Sequence, residues 1–244
     1  EIDLLRARLT LLSDRSALTP LETDLAQRRV SFTQELVSML EDAAHDLRAE
    51  RAREELKSIR EQSQRLSEKV PSLAPIAAET EELANTLWAP DGVTERAERS
   101  VKALETTRHH QAQLNRIADL TSRKFEAYGH RGSVTRWWPD VPDDFPEPGS
   151  VADTIQDLDE EIPEVEHGLI TYEQLRSRAL DLSRHTMLDL QTEYGEDLDP
   201  EMVQSVRDLL AVRQDLLDEL IRRGGQYSDK LTEYRTASAK FRDQ

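Results

Sequence analysis

The chain contains no cysteine. That excludes disulfides, thiolate metal sites and cysteine nucleophiles, and leaves the compartment open. Glycine occurs only eight times and aromatics make up 5% of the residues, which argues against a thick globular core. No run of about 18 apolar residues is present, so no stretch of the sequence spans a bilayer as a helix. Positive charge is in deficit, with 32 Lys and Arg against 49 Asp and Glu and a net charge of −17. Phosphate recognition needs a basic stripe, so nucleic acid is excluded as an expected partner. Direct adhesion to an anionic membrane surface is disfavoured for the same reason. No signal peptide is visible. The sequence opens Glu1-Ile2-Asp3-Leu4-Leu5, without Met and already in helical pattern. The expectation is a segment of a longer protein whose targeting and membrane parts lie outside it.

What the sequence does have is helical periodicity. Val203, Val206, Leu210, Arg213, Leu217, Leu220, Gly224, Tyr227, Leu231, Tyr234, Ser238 and Phe241 follow one another at spacings of three and four. Such a stripe stays on one face of a helix that packs lengthwise on another. Arg213, Gly224 and Ser238 interrupt it, and the pairing is expected to loosen at Arg213 and Gly224. Gly224-Gly225 reads as a close helix approach or kink, with a hinge as the alternative. The predicted fold class is all-α: elongated antiparallel long-helix hairpins with coiled-coil-like packing.

Four regions follow. Residues 1–18 read as the end of a preceding helix and a linker, weakened at Ser13-Asp14-Arg15-Ser16. Residues 19–128 read as a first long helical hairpin. It starts at Thr19-Pro20, with Glu22 three residues after the cap. Its first arm carries Leu25, Phe32, Leu36, Met39, Ala43 and Leu47, then Leu56, Ile59, Ser63, Leu66 and Val70, and ends at Pro71 and Pro75. Its second arm runs back to Tyr128 and breaks at Ala89-Pro90-Asp91-Gly92, with Thr94 expected to cap the restart. Residues 129–149 hold four of the ten prolines and the pair Trp137-Trp138, and read as a Pro/Gly/Trp loop. Residues 150–244 read as a second hairpin, capped by Ser150 with Asp153 in its first turn. The seam Val151, Ile155, Leu158, Ile162, Val165, Leu169, Tyr172 passes Pro163 unshifted, which predicts one bent helix. It then slips by one residue at Leu175, Ala179 and Leu182. After a turn at Tyr194–Leu198, Asp199-Pro200 caps the last helix, expected to pair with the Val151–Tyr172 seam.

Candidate chemistry is sparse. Nucleotide-loop, nucleophile-elbow and zinc-helix motifs are missing, and no catalytic, cofactor-binding or metal residue is assigned. The six histidines are scattered. His109 and His110 are adjacent, so their rings point about 100° apart on a helix and read as surface residues that cannot share a metal. Trp137 and Trp138 either pin the loop to the bundle or form a contact surface for a neighbouring subunit or membrane interface. Between Arg136 and Arg176 there are twelve acids and no Lys or Arg. Asp153, Asp157, Asp159 and Glu160 are the candidate acidic patch, read first as a solvated face and second as a cation site.

Several stretches, in consistent order, resemble the long periplasmic region of large MscS-type mechanosensitive channels, the MscK-like and MscM-like members. Glu1–Arg6 followed by Leu18 and Leu21–Arg29 is similar to the family stretch joining two helical modules. Glu35–Leu40 through Arg48–Ala52 is similar to the helix that follows. Pro71-Ser72-Leu73 with Glu79–Leu87 resembles the family's proline-leucine turn and returning helix. Val206–Leu220, where Arg213 precedes an acid-Leu-Leu-acid run, resembles a late periplasmic helix. The Pro/Trp loop and the Ala89–Gly92 break depart from that pattern. The resemblance implies a periplasmic, non-catalytic helical segment of an inner-membrane, tension-gated channel. It implies homo-oligomeric partners of the same channel, no cofactor, and membrane association through segments outside this chain. The residues alone also fit a coiled-coil scaffold or adaptor that binds a protein partner; a helical-bundle enzyme is the third reading.

Overall fold

A computed structural model describes residues 2–128, 145–195 and 199–243. Among these residues the structure is all-helical, without strands. The elements are α1 (Ile2–Lys69), a 3₁₀ turn (Pro71–Leu73), α2 (Ala74–Trp88), α3 (Val93–Tyr128), α4 (Pro148–Ser177), α5 (Ala179–Tyr194) and α6 (Pro200–Arg242). Two compact units are distinguished, residues 1–54 and 55–244.

The first unit consists of the α1 residues up to Glu54. The breaks expected at Ser13–Ser16 and Thr19-Pro20 do not occur, since the helix passes through both. Ser and Asp cost a helix interior only tenths of a kcal/mol each; Pro20 costs about 3 kcal/mol, through a lost hydrogen bond and a clash with the preceding turn, and the helix nevertheless propagates through it. From residue 24 onward the predicted seam is uncovered: Leu25, Phe32, Leu36, Met39 and Leu47 are 53, 61, 43, 67 and 57% exposed. This part of the seam is therefore uncovered, whereas its continuation at Ile59, Ser63, Leu66 and Val70 is buried in the second unit.

In the second unit α2 to α6 pack together around α6, which touches each of the other four. Ten of the twelve stripe positions are buried, Val203 and Tyr234 being half-buried. Leu209, Leu216 and Ala237 widen the stripe, because α6 faces helices on more than one side. Three apolar clusters follow one another along it. Val206, Leu209 and Leu210 meet Leu66, Val70, Leu73, Ala77 and Leu190. Leu216, Leu217, Leu220, Tyr227 and Leu231 meet Ile59, Leu83, Leu87, Val93 and Leu158. Phe241 meets Val151 and Ile155. The partners of α4 reverse in order along α6: Arg176 pairs with Asp218, Glu161 with Tyr227 and Asp159 with Arg235. The two helices are antiparallel. Toward α3 the order is kept, from Thr94–Arg223 to Arg108–Glu233, so α3 and α6 are parallel. The last helix is thus shared by α2, α3, α4 and α5, where the sequence predicted one partner.

Local chemistry explains the breaks. Pro71 opens the 3₁₀ turn and Pro75 lies in the first turn of α2, positions where a missing amide hydrogen costs nothing. At Ala89–Gly92 the chain turns so tightly that a Cβ on Gly92 would lie 2.9 Å from the carbonyl oxygens of Thr86, Leu87 and Ala89. Thr94 does not cap α3, which already begins at Val93; its hydroxyl accepts from Arg223 Nη1 at 3.1 Å. Ser150 does not cap α4 either. The helix begins at Pro148, and the Ser150 hydroxyl donates to the Glu147 carbonyl at 2.8 Å. Proline at the first helical position displaced the start by three residues, from a cap at Ser150 to one at Glu147. Pro163 lies inside α4, which continues past it. The slip of the seam coincides with the end of α4 at Ser177 and the start of α5 at Ala179. Gly195 closes α5 with φ +56°, a backbone setting that side chains disfavour. Asp199 caps α6 as its sequence predicts, accepting from Glu201 N at 3.0 Å.

Candidate functional site

Of the predicted site residues, Trp137 and Trp138 lie outside the described residues. The four acids of the candidate patch all lie on α4 and are exposed. The helix separates them. Asp153, Asp157 and Glu160 stand four and three residues apart and share one face, whereas Asp159 is turned away from it. Asp159 meets Arg235 of α6, so the patch is a row of three acids and one cross-helix ion pair. Glu160 accepts from Gln156 Nε2 at 3.3 Å. Among the described residues no group of three His, Asp or Glu converges to hold a metal ion. The row reads as a solvated face.

The polar network that the fold does assemble joins α3, α4 and α6. The Tyr227 hydroxyl, on a side chain 1% exposed, donates to Glu161 Oε1. Arg96 Nη1 stands 3.9 Å from the same carboxylate oxygen, and its guanidinium carbon lies 6.0 Å from the Tyr227 ring centroid. Burial, then the hydrogen bond and negative charge of Glu161, push the Tyr227 phenol up to about 12. Arg96 Nε is buried without a hydrogen-bond partner. About two turns earlier on α6, Glu219 accepts from Arg222 Nη2 at 2.6 Å and from Arg223. The Arg222 hydrogen bond, opposed by partial burial and aided by Arg223, lowers the Glu219 carboxyl to about 2. Beside this network a cleft of about 180 Å³ is lined by Val93, Arg96, Val165, Leu169, Tyr172 and Gly224, among others. Burial raises the Tyr172 phenol above its usual range, against the opposing charge of Arg96.

No family model, curated protein or solved structure matches this chain. The network pairs phenol, carboxylate and guanidinium, which hold charge still and tie three helices in register. The Tyr227 phenol faces a carboxylate, but burial and the negative charge of Glu161 hold it protonated rather than activate it. At the far end of α6, His110 is buried, with ring centroids 5.1 Å from Phe145 and 6.3 Å from Phe241. It is not the surface residue its sequence neighbourhood predicts. His109, adjacent to it, meets Gln113 Nε2 at 2.8 Å.

Sequence reasoning passed over Glu161 because acids are so common around it. Its signal was position: it adjoins the seam residue Ile162, where a long polar side chain reaches across to a neighbouring helix. Arg96 and Thr94 carried no comparable signal, because α3 was not expected to face α6.

Among the described residues no helix is long and apolar enough to cross a membrane.

Proposed function

We propose that this chain is a periplasmic, non-catalytic helical domain of a tension-gated mechanosensitive channel that contributes to protection against osmotic shock. In this reading it takes the form of long antiparallel helical hairpins, and other subunits of the same channel are its partners. Membrane association comes through segments outside the chain. The observation that supports the reading is that the Pro71-Ser72-Leu73 stretch, which resembles the family's proline-leucine turn, forms a turn between two helices, while Val206–Leu220, which resembles its late periplasmic helix, lies inside one long helix. Pro71-Ser72-Leu73 is the 3₁₀ turn before α2, and Val206–Leu220 spans the part of α6 that meets the first two apolar clusters. A bundle tied by cross-helix ion pairs suits a part that braces membrane helices or shapes a vestibule. The exposed acids Asp153, Asp157 and Glu160 would enrich cations near such a vestibule.

The absence of cysteine supplies the experiment. Asp157 is exposed on α4, so Asp157→Cys in the gene product that carries this chain adds one reporter thiol, read against the same product without the substitution. A membrane-impermeant maleimide added to cells with a permeabilised outer membrane is expected to label it. Labelling only after the inner membrane is broken would sink the periplasmic reading.

A second reading, a scaffold or adaptor module for a protein partner, is favoured by the uncovered apolar face of residues 24–54. It predicts co-purification of a distinct protein that is lost when this face is made polar.

A further inference from the structure

The apolar face of the first unit is the largest uncovered feature of the described chain. Leu25, Phe32, Leu36, Met39, Leu40 and Leu47 share one side of the helix and are between 43 and 69% exposed, while Val30 and Val37, also exposed, lie about a third of a turn away from it. Contiguous apolar patches of this kind mark interaction surfaces. Covering the six side chains of this face in two copies would bury on the order of 1,000 Å², near the lower bound for a specific interface.

The residues that interrupt the seam say what fits it. Along α1 the 3-4 positions are Leu25, Arg29, Phe32, Leu36, Met39, Ala43, Asp46 and Glu50. Arg29 and Asp46 are equally distant from the midpoint between Val37 and Ser38. So are Phe32 and Ala43, and so are Leu36 and Met39. A second copy laid antiparallel about that midpoint sets Arg29 of each chain opposite Asp46 of the other. It sets Phe32 opposite Ala43, the largest apolar side chain of the seam against the smallest, and Leu36 opposite Met39; at the two ends Leu25 falls opposite Glu50. Pairing a large with a small side chain fills the layer without voids. A parallel pair in register would stack Arg29 on Arg29, Asp46 on Asp46 and Phe32 on Phe32. Opposed like charges are disfavoured across helix pairs. The segment also repels itself little. Residues 24–54 hold seven acids and five bases, although the whole chain carries −17.

We infer that residues 24–50 are a self-association surface, on which a second copy of this chain packs antiparallel about the Val37–Ser38 midpoint. The inference is independent of the channel reading.

Sedimentation equilibrium of the 244-residue chain tests it. The wild type is expected to dimerise. Arg29→Glu and Asp46→Arg each bring like charges together at both ends of the pair and are expected to weaken dimerisation about tenfold or more. The double variant Arg29→Glu/Asp46→Arg restores opposite charges and is expected to recover wild-type association. Arg29 and Asp46 are exposed, so circular dichroism should show unchanged helix content throughout. The cysteine-free chain allows a direct check of direction. Leu36→Cys mixed with Met39→Cys should form a heterodisulfide on oxidation. Leu25→Cys should not cross-link to itself, because antiparallel copies hold the two positions about 25 residues, on the order of 38 Å, apart. A chain that stays monomeric, a double variant as weak as the single ones, or efficient Leu25→Cys cross-linking would overturn the inference.

Discussion

The adjacent glycines of α6 should respond to alanine in opposite degrees, because only one of them touches anything. At Gly225 an added Cβ meets no heavy atom within 4 Å. Both residues lie inside the helix without a break. Gly225→Ala therefore gains the helix-propensity difference with nothing to offset it, about 0.8–1 kcal/mol. At Gly224 the same gain applies, but the Cβ would lie 2.8 Å from Leu169 Cδ2 and 3.5 Å from its Cγ. The atom in the way is the far end of a flexible side chain, and Leu169 lines the 180 Å³ cleft beside it. It has room to turn, at an off-rotamer cost of about 0.5–1.5 kcal/mol. Gly224→Ala should thus come out near neutral, and the two variants should differ by about 1 kcal/mol. For a chain of this size that corresponds to roughly 2–4 °C in the unfolding midpoint. Urea unfolding followed by circular dichroism at unchanged slope measures both. Gly225→Ala less stable than wild type would refute the reasoning, since it would mean that the glycine pair is kept for flexibility, as a hinge requires. A loss of about 3 kcal/mol at Gly224 would mean that Leu169 cannot turn into the cleft.

Two further outcomes are expected from buried polar groups. The Arg213 side chain is 5% exposed and pairs with Glu79 at 2.9 Å, while its Nε and Nη1 have no hydrogen-bond partner. Arg213→Met should therefore raise the urea midpoint, by an amount equivalent to about 1–3 kcal/mol, since it removes a poorly compensated buried charge and leaves the exposed Glu79 in water; a loss of stability instead would mean that the guanidinium is better satisfied than its geometry shows. The Tyr227 phenol has its folded-state value raised to about 12 from an ordinary 10, so its stabilising effect is complete below pH 10 and is lost as pH rises from there through 12. Tyr227→Phe should be less stable at neutral pH by about 1 kcal/mol, from the lost hydrogen bond to Glu161, and should show a shallower alkaline fall in thermal midpoint; an unchanged alkaline slope would count against the buried phenol.

The legibility of this fold in its sequence followed the reach of each signal. Stops written in backbone chemistry, Pro71, Pro75, Gly92 and Asp199-Pro200, lie at element boundaries. The one-residue slip after Tyr172 marked the junction of α4 and α5. Signals that depend on competition between neighbours were less safe. Ser150 and Thr94 have the right side chains for caps, but Pro148 and the tight Ala89–Gly92 turn fixed the helix starts earlier. The cross-helix network was the least legible part. Which carboxylate meets Tyr227 depends on which helices face α6, and a stripe records only that its face is covered.

The same limit explains both the seam interruptions and the bare face. Arg213 was expected to loosen the packing, yet it is buried where the first apolar cluster gives way to the second. Ser63 on α1 and Thr80 on α2 are buried polar residues at the same change of cluster, between Ile59 and Leu66 and between Ala77 and Leu83. The α4–α5 junction also falls there, between Leu175 of one cluster and Leu182 of the other. Four chain segments change character together, which no single seam could reveal. A polar layer gives up stability, but it disfavours packing shifted by one or two turns, because a shift would drive Arg213 into leucines. Residues 24–54 carry a seam of the same spacing and similar interruptions, with Arg29 and Asp46 in it. Within 55–244 the interruption is met by Glu79 of a neighbouring helix. On residues 24–54 Arg29 and Asp46 have opposite charge and mirror one another, so a partner that satisfies this pair can be the same sequence reversed.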